Sequence, residues 1–134
     1  MVLQTEQSGG ERMIEHLQRL VNGDPALVRR GRWTSADMLL EIGERGYVVA
    51  IRSGRIEAIH PVETRVSGWD FAIRGTADAW AEFWKPAPKP RHHDLIALIR
   101  EGKMRFEGNL DLLMANLLYL KLVLEAPRRL EGAA

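Results

Sequence analysis

The chain has no cysteine, which excludes disulfides, thiolate nucleophiles and cysteine-based metal sites. It also has little charge of either sign to spare: acids and bases are mixed along it, and the formal net charge is +1. A nucleic-acid binder normally carries a basic stripe; none stands out, so nucleic acid is not an expected partner. No run approaches the roughly 20 apolar residues needed to cross a bilayer. The opening residues 1–10, MVLQTEQSGG, lack both a basic start and an apolar stretch, so they read as a loose tail rather than a signal peptide. The expected location is the cytoplasm. Nor does a Gly-x-Ser-x-Gly elbow surround Ser8, Ser35, Ser53 or Ser67, so no serine nucleophile is expected.

What is present is ordinary globular material. The 134 residues, 46% hydrophobic and 28% charged, suffice for one domain over 11–134 with its own core. Met13, Ile14, Leu17, Leu20 and Val21 recur at helical spacing and predict a helix from Glu11 to Asn22. Asp24-Pro25 then resembles a cap followed by proline at the first helical position, opening a short turn through Arg30.

The period then changes. Met38, Leu40 and Ile42 alternate with Leu39 and Glu41; Tyr47, Val49 and Ile51 alternate with Val48, Ala50 and Arg52; Arg55–His60 follows a Ser53-Gly54 turn. This predicts an antiparallel meander, its third strand ended by Pro61. A fourth strand is expected at Trp69–Gly75, with Trp69, Phe71 and Ile73 on one face and Asp70 and Arg74 on the other. Helical spacing returns at Ala77, Trp80, Ala81 and Trp84, with Thr76 as cap. Lys85–Pro90 (KPAPKP) is an extended connector. Asp94–Arg100 reads as a short helix, Lys103–Glu107 as a fifth strand, and Gly108-Asn109 as the cap of a last helix closed by Pro127.

That last helix is unusual. From Leu110 to Leu124 only Asp111, Asn116 and Lys121 are clearly polar, and at about 100° per residue they lie near 0°, about 140° and about 280°. A helix without a polar face must be covered on nearly all sides. Leaving four or five leucines bare would forgo about 1.5–3 kcal/mol each, comparable with the whole stability of a domain. Trp33, Trp80, Phe83 and Trp84 are one set of covers; a bound apolar molecule or a second protein surface is the other.

In their order, these elements resemble the sterol carrier protein (lipid-transfer) family. The matching stretches are WDFAIRGTADAWAEFW at Trp69–Trp84 and EGKMRFEGNLDLLMANL at Glu101–Leu117, the latter carrying Gly102, Lys103, Gly108 and Asn109 at a Gly-Lys strand start and a Gly-Asn helix start. The resemblance covers Ala36 to Leu124. It implies an α+β fold: a five-stranded, mainly antiparallel sheet with helices on one face. It further implies an internal hydrophobic tunnel for a fatty acyl chain, acyl-CoA or sterol-like ligand. Carried onto this sequence, the wall would comprise Trp69, Phe71, Ile73, Trp80, Trp84, Met104, Phe106, Leu113, Met114, Leu117 and Leu118. Methionine and leucine adapt to irregular apolar ligands, and tryptophan adds area with one polar edge. The peroxisomal targeting ending of some relatives is lacking; the sequence finishes Glu131-Gly132-Ala133-Ala134.

Catalysis has one candidate, the His92-His93-Asp94 cluster. Adjacent residues on an extended segment point apart and make a poor joint site, and Asp94 suits an ordinary helix cap. His16 and His60 read as structural or exposed. No enzyme activity, cofactor or metal is therefore expected. The expected partner is a lipid-like small molecule; the alternative is a non-catalytic accessory or dimerising subunit whose apolar C-terminal helix docks on an enzyme or a second copy. Arg29, Arg30 and Arg32 form the tightest basic cluster, which reads as a solvated surface; the alternative is transient contact with an anionic membrane, at about 1 kcal/mol per charge.

Overall fold

The computed structural model describes residues 9–62, 68–88 and 94–132. Helix α1 spans Gly9–Asn22, beginning two residues before the expected start; residues 1–8 of the expected tail lie outside the described residues. Its Met13, Ile14, Leu17 and Val21 are buried. Helix α2, Pro25–Arg30, is capped as its sequence predicts: the Asp24 carboxylate accepts from the Leu27 N–H, with proline in the first turn. That bond and the nearby Arg129 guanidinium hold the Asp24 carboxyl below its usual pKa.

Five strands follow the alternating pattern: β1 Ala36–Ile42, β2 Arg45–Arg52, β3 Arg55–Val62, β4 Phe71–Gly75 and β5 Met104–Gly108. They form one sheet in the order β3-β2-β1-β4-β5. All pairings are antiparallel except β1 with β4, where Met38 faces Phe71 and Leu40 faces Ile73 in parallel register. Proline does not end β3, which runs on through Pro61 to Val62. The strand lies at the sheet edge, where a missing N–H costs no ladder bond on its open side. Side-chain amides from α1 serve part of that edge. Asn22 accepts from Ile56 N (2.8 Å) and donates to Ile56 O (2.9 Å), and Gln18 donates to the same carbonyl at 3.0 Å.

The helices pack on one sheet face. Met38, Leu40, Ile42, Val49, Ile51, Phe71 and Ile73 point into a core shared with α1, α2 and the later helices. Helix α3, Ala77–Phe83, is capped by the Thr76 hydroxyl, which accepts from Ala79 N at 3.0 Å. Helix α4, Leu95–Arg100, is capped by Asp94. Of the expected proline connector, residues 85–88 are irregular and Lys89 and Pro90 lie outside the described residues.

The last helix differs from expectation. It is two helices, α5 Leu110–Ala115 and α6 Leu117–Glu125, divided at Asn116 (φ −116°, ψ 18°). The Asn116 amide donates back to Leu112 O at 3.0 Å, and its oxygen accepts from the Thr34 hydroxyl at 2.7 Å. Thr34 is buried, 3% exposed, and this bond satisfies its hydroxyl. The angular spread of polar groups over one continuous rod therefore does not apply, because each short helix has its own inner face. A further short helix, α7 Arg128–Gly132, follows Pro127.

Candidate ligand site

The expected tunnel residues divide between core and surface. Phe71, Ile73, Trp80, Trp84, Met104 and Leu113 are almost wholly buried. The two indoles are held by directed bonds: Trp80 Nε1 donates to Glu41 O at 3.0 Å and Trp84 Nε1 to Leu124 O at 2.7 Å. Their rings lie 4.9 Å apart, and Phe83 meets Trp80 edge-on at 5.7 Å. These pairings orient the centre of the core.

Trp69 is not on the face of Phe71 and Ile73. It precedes β4, and its ring lies 5.8 Å from the Arg74 guanidinium, on the helix-free side of the sheet. Gly108 makes room for it there: with φ +92°, a side chain at that position would strike Asp70 O and the Trp69 ring. The Gly-Asn step thus does two jobs, since Asn109 caps α5 by accepting from Leu112 N at 3.0 Å.

The remaining members, Phe106, Met114, Leu117 and Leu118, are partly or largely open. Leu110 is 44%, Met114 52% and Leu118 60% exposed. Leu110 and Met114 lie one turn apart on α5, and Leu118 follows beyond the break on α6, so both helices present apolar surface to solvent. Leu110 also lines a groove of about 650 Å³ where β1 and β4 end and β5 begins. Ile99, Met104, Phe106 and Leu110 give it an apolar wall. Its rim is polar: Glu41, Arg74, Lys103 and Arg105 line it too. Ile99 and Leu110 are not among the tunnel residues read from the sequence. Leu110, directly after the Gly-Asn cap, was the legible one, because a leucine in an exposed first turn has no intrahelical cover.

The rim charges are tied to one another. Arg74 bridges Glu41 (2.6 Å) and Glu107 (3.0 Å), and Arg105 meets Glu107 at 3.2 Å. Burial opposes the Arg74 charge, but its hydrogen bond to Glu107 and the attraction of both carboxylates outweigh that and raise its pKa. An anionic head group at this rim would meet oriented arginines already sharing carboxylates.

Of the histidine cluster, His92 and His93 lie outside the described residues. Asp94 caps α4 and pairs with Lys121 at 3.2 Å. His16 sits 3.1 Å from an Arg19 guanidinium nitrogen, and His60 is exposed on β3. Among the described residues no group of three or more histidine or carboxylate side chains could hold a metal, and no helix is long and apolar enough to cross a membrane.

No protein-family model matches the chain, and no curated protein does. Solved structures match its fold. The chain is similar to sterol carrier protein 2, with a TM-score of 0.70 at 14% identity over 87% of this chain and 94% of that one. It is similar to a conserved hypothetical protein of Thermus thermophilus, with a TM-score of 0.69 at 16% identity over 89% of this chain and 86% of that one. A UbiJ-SCP2 ubiquinone synthesis protein matches with a TM-score of 0.57 at 14% identity, over 96% of this chain and 97% of that one. The chain thus has the sterol carrier fold that its order of elements led us to expect.

Proposed function

We propose that this chain binds and carries a lipid-like apolar molecule, taken up in the groove lined by β5 and the ends of β1 and β4. The observation that carries the reading is uncovered apolar surface beside a cavity. Ile99, Met104, Phe106 and Leu110 wall the groove, and Leu110, Met114 and Leu118 are largely exposed. Covering the half-exposed Leu110, Met114 and Leu118 is worth about 3 kcal/mol in all. A groove of about 650 Å³ lies within the size range of small-molecule sites. A fatty acyl, acyl-CoA or sterol-like body fits this pattern, its chain on the apolar wall and its polar head at the Arg74 and Arg105 rim. Ten buried methylenes would gain about 8 kcal/mol gross, before ordering costs.

The fold supports the same reading, since sterol carrier protein 2 names its cargo. In this proposal the fully buried Phe71, Ile73, Trp80, Trp84 and Leu113 act as the floor that shapes the site, while Met104, Phe106, Met114, Leu117 and Leu118 meet the ligand. Native mass spectrometry of gently purified protein is expected to show co-purifying lipid, and a fluorescent fatty acid to bind. Leu110→Glu, at a half-exposed position, is expected to weaken that binding at least tenfold with an unchanged circular dichroism spectrum. A bare apo mass with no fatty-acid uptake would overturn the proposal.

The second reading is an accessory subunit, favoured by the exposure of Leu110, Met114 and Leu118 and by the likeness to a ubiquinone synthesis protein. Light scattering separates the two: a strict monomer that takes up lipid supports the carrier, and a dimer lost in Leu118→Glu supports the subunit.

A further inference from the structure

Trp33 is 84% exposed, yet the turn that carries it is firmly built. Gly31 N donates to both Leu27 O and Val28 O at 3.1 Å, and Thr34 N donates to Gly31 O at 2.8 Å. On the next residue, the Thr34 hydroxyl reaches Asn116 and its carbonyl accepts from Gly54 N at 3.1 Å. Gly31 lies so close to the Tyr119 ring that no side chain would fit there. A tryptophan exposed only because its loop is slack would not stand on such a base.

Positive charge surrounds it. The Arg32 guanidinium lies 5.4 Å from the Trp33 ring centre. Arg29 and Arg30, in the last turn of α2, are exposed and have no carboxylate partner among the described residues. The acids nearest in the chain are already engaged, Asp24 with Arg129 at 3.2 Å and Asp37 with Arg52 at 2.9 Å. Among the described residues, the surface therefore shows a basic cluster without a paired carboxylate around one protruding indole.

We propose that this turn is a docking surface for an anionic lipid bilayer, with Trp33 entering the head-group layer and Arg29, Arg30 and Arg32 meeting lipid phosphates and carboxylates. Amphipathic aromatic rings partition to that layer, and nearby basic side chains add attraction to anionic lipid. A side chain with so few neighbours suits a soft layer better than a rigid partner, which would have to supply a pocket. The inference stands apart from the groove at β5 and does not depend on what fills it.

The test is co-sedimentation of the full chain with phosphatidylserine-rich vesicles and with pure phosphatidylcholine vesicles, at low and high salt. Binding is expected on the anionic vesicles only, with release by salt and a blue shift in tryptophan emission. Each of Arg29→Gln, Arg30→Gln and Arg32→Gln is expected to weaken binding about fivefold, and Trp33→Ala about tenfold. All four side chains are exposed, so circular dichroism should report unchanged folding. Absence of binding to anionic vesicles, or equal binding by wild type and Trp33→Ala, would overturn the proposal. So would a dimer that Trp33→Ala dissolves and vesicles do not compete for, since a second copy would then be the occupant.

Discussion

Replacing Tyr119 with phenylalanine removes one oxygen from the junction of α6, α2 and the β2–β3 turn. The Tyr119 hydroxyl donates to Gly54 O at 2.7 Å, and the residue is 3% exposed. Losing a buried bond of this kind costs about 1–3 kcal/mol, because the carbonyl keeps its desolvation and loses its donor. At this chain length that corresponds to a melting temperature about 4–12 °C lower. The alkaline limb gives a second reading of the same oxygen. Burial pushes the Tyr119 pKa from 10.0 up to about 12. A raised folded pKa favours the protonated form, so this contribution to stability is intact below pH 10 and is lost as pH rises toward 12. Thermal melts of both proteins by circular dichroism, at neutral pH and through that window, provide the assay. Every other ionisable group is the same in both proteins, so the difference between the two curves isolates Tyr119. A variant as stable as wild type at neutral pH, or parallel alkaline losses, would refute the reasoning.

Two further outcomes follow from caps and kinks. Thr76→Ala removes the hydroxyl that accepts from Ala79 N and should cost about 1 kcal/mol in urea unfolding; no change would mean that Trp80 and Trp84 alone hold α3. Asn116→Ala takes away both the bond to Leu112 O and the partner of the buried Thr34 hydroxyl, an expected loss of about 1–3 kcal/mol. Restoration of most of that stability by adding Thr34→Val, which removes the stranded hydroxyl, is the confirming result in a double-mutant cycle.

Much of this was legible from spacing. The alternation in 36–60 and the Thr76, Asp94 and Asn109 caps depend on neighbours within a few residues, so sequence alone locates them. The break at Asn116 has one local part, its side-chain amide taking Leu112 O four residues back, and one distant part. No glycine or proline interrupts Leu110–Leu124, and the residue that fixes the Asn116 side-chain oxygen, Thr34, is 82 positions distant. The run of β3 through Pro61 likewise depends on that strand being an edge, a property of the sheet order. Apolar bulk makes Trp33 one candidate cover for the last helix, yet it faces solvent, because the turn's backbone bonds, rather than burial of its indole, fix its position. Among the expected tunnel residues, apolar character alone could not separate Trp80 and Trp84, sealed in the core, from Met114 and Leu118, left open.

The parallel seam between β1 and β4 has a consequence for how the molecule is made. Strands β1 to β3 join through hairpins and can assemble as soon as that stretch exists, but β1 then waits for β4, whose register pairs Met38 with Phe71 across a long excursion of chain. Until that loop closes, the edge of β1 that will receive β4, where Asp37 O later accepts from Asp70 N and Gly43 N donates to Gly75 O, stays available to the same edge of a neighbouring molecule. Refolding yield should therefore fall as protein concentration rises, and nascent chains are vulnerable in the interval between synthesis of residue 62 and residue 75.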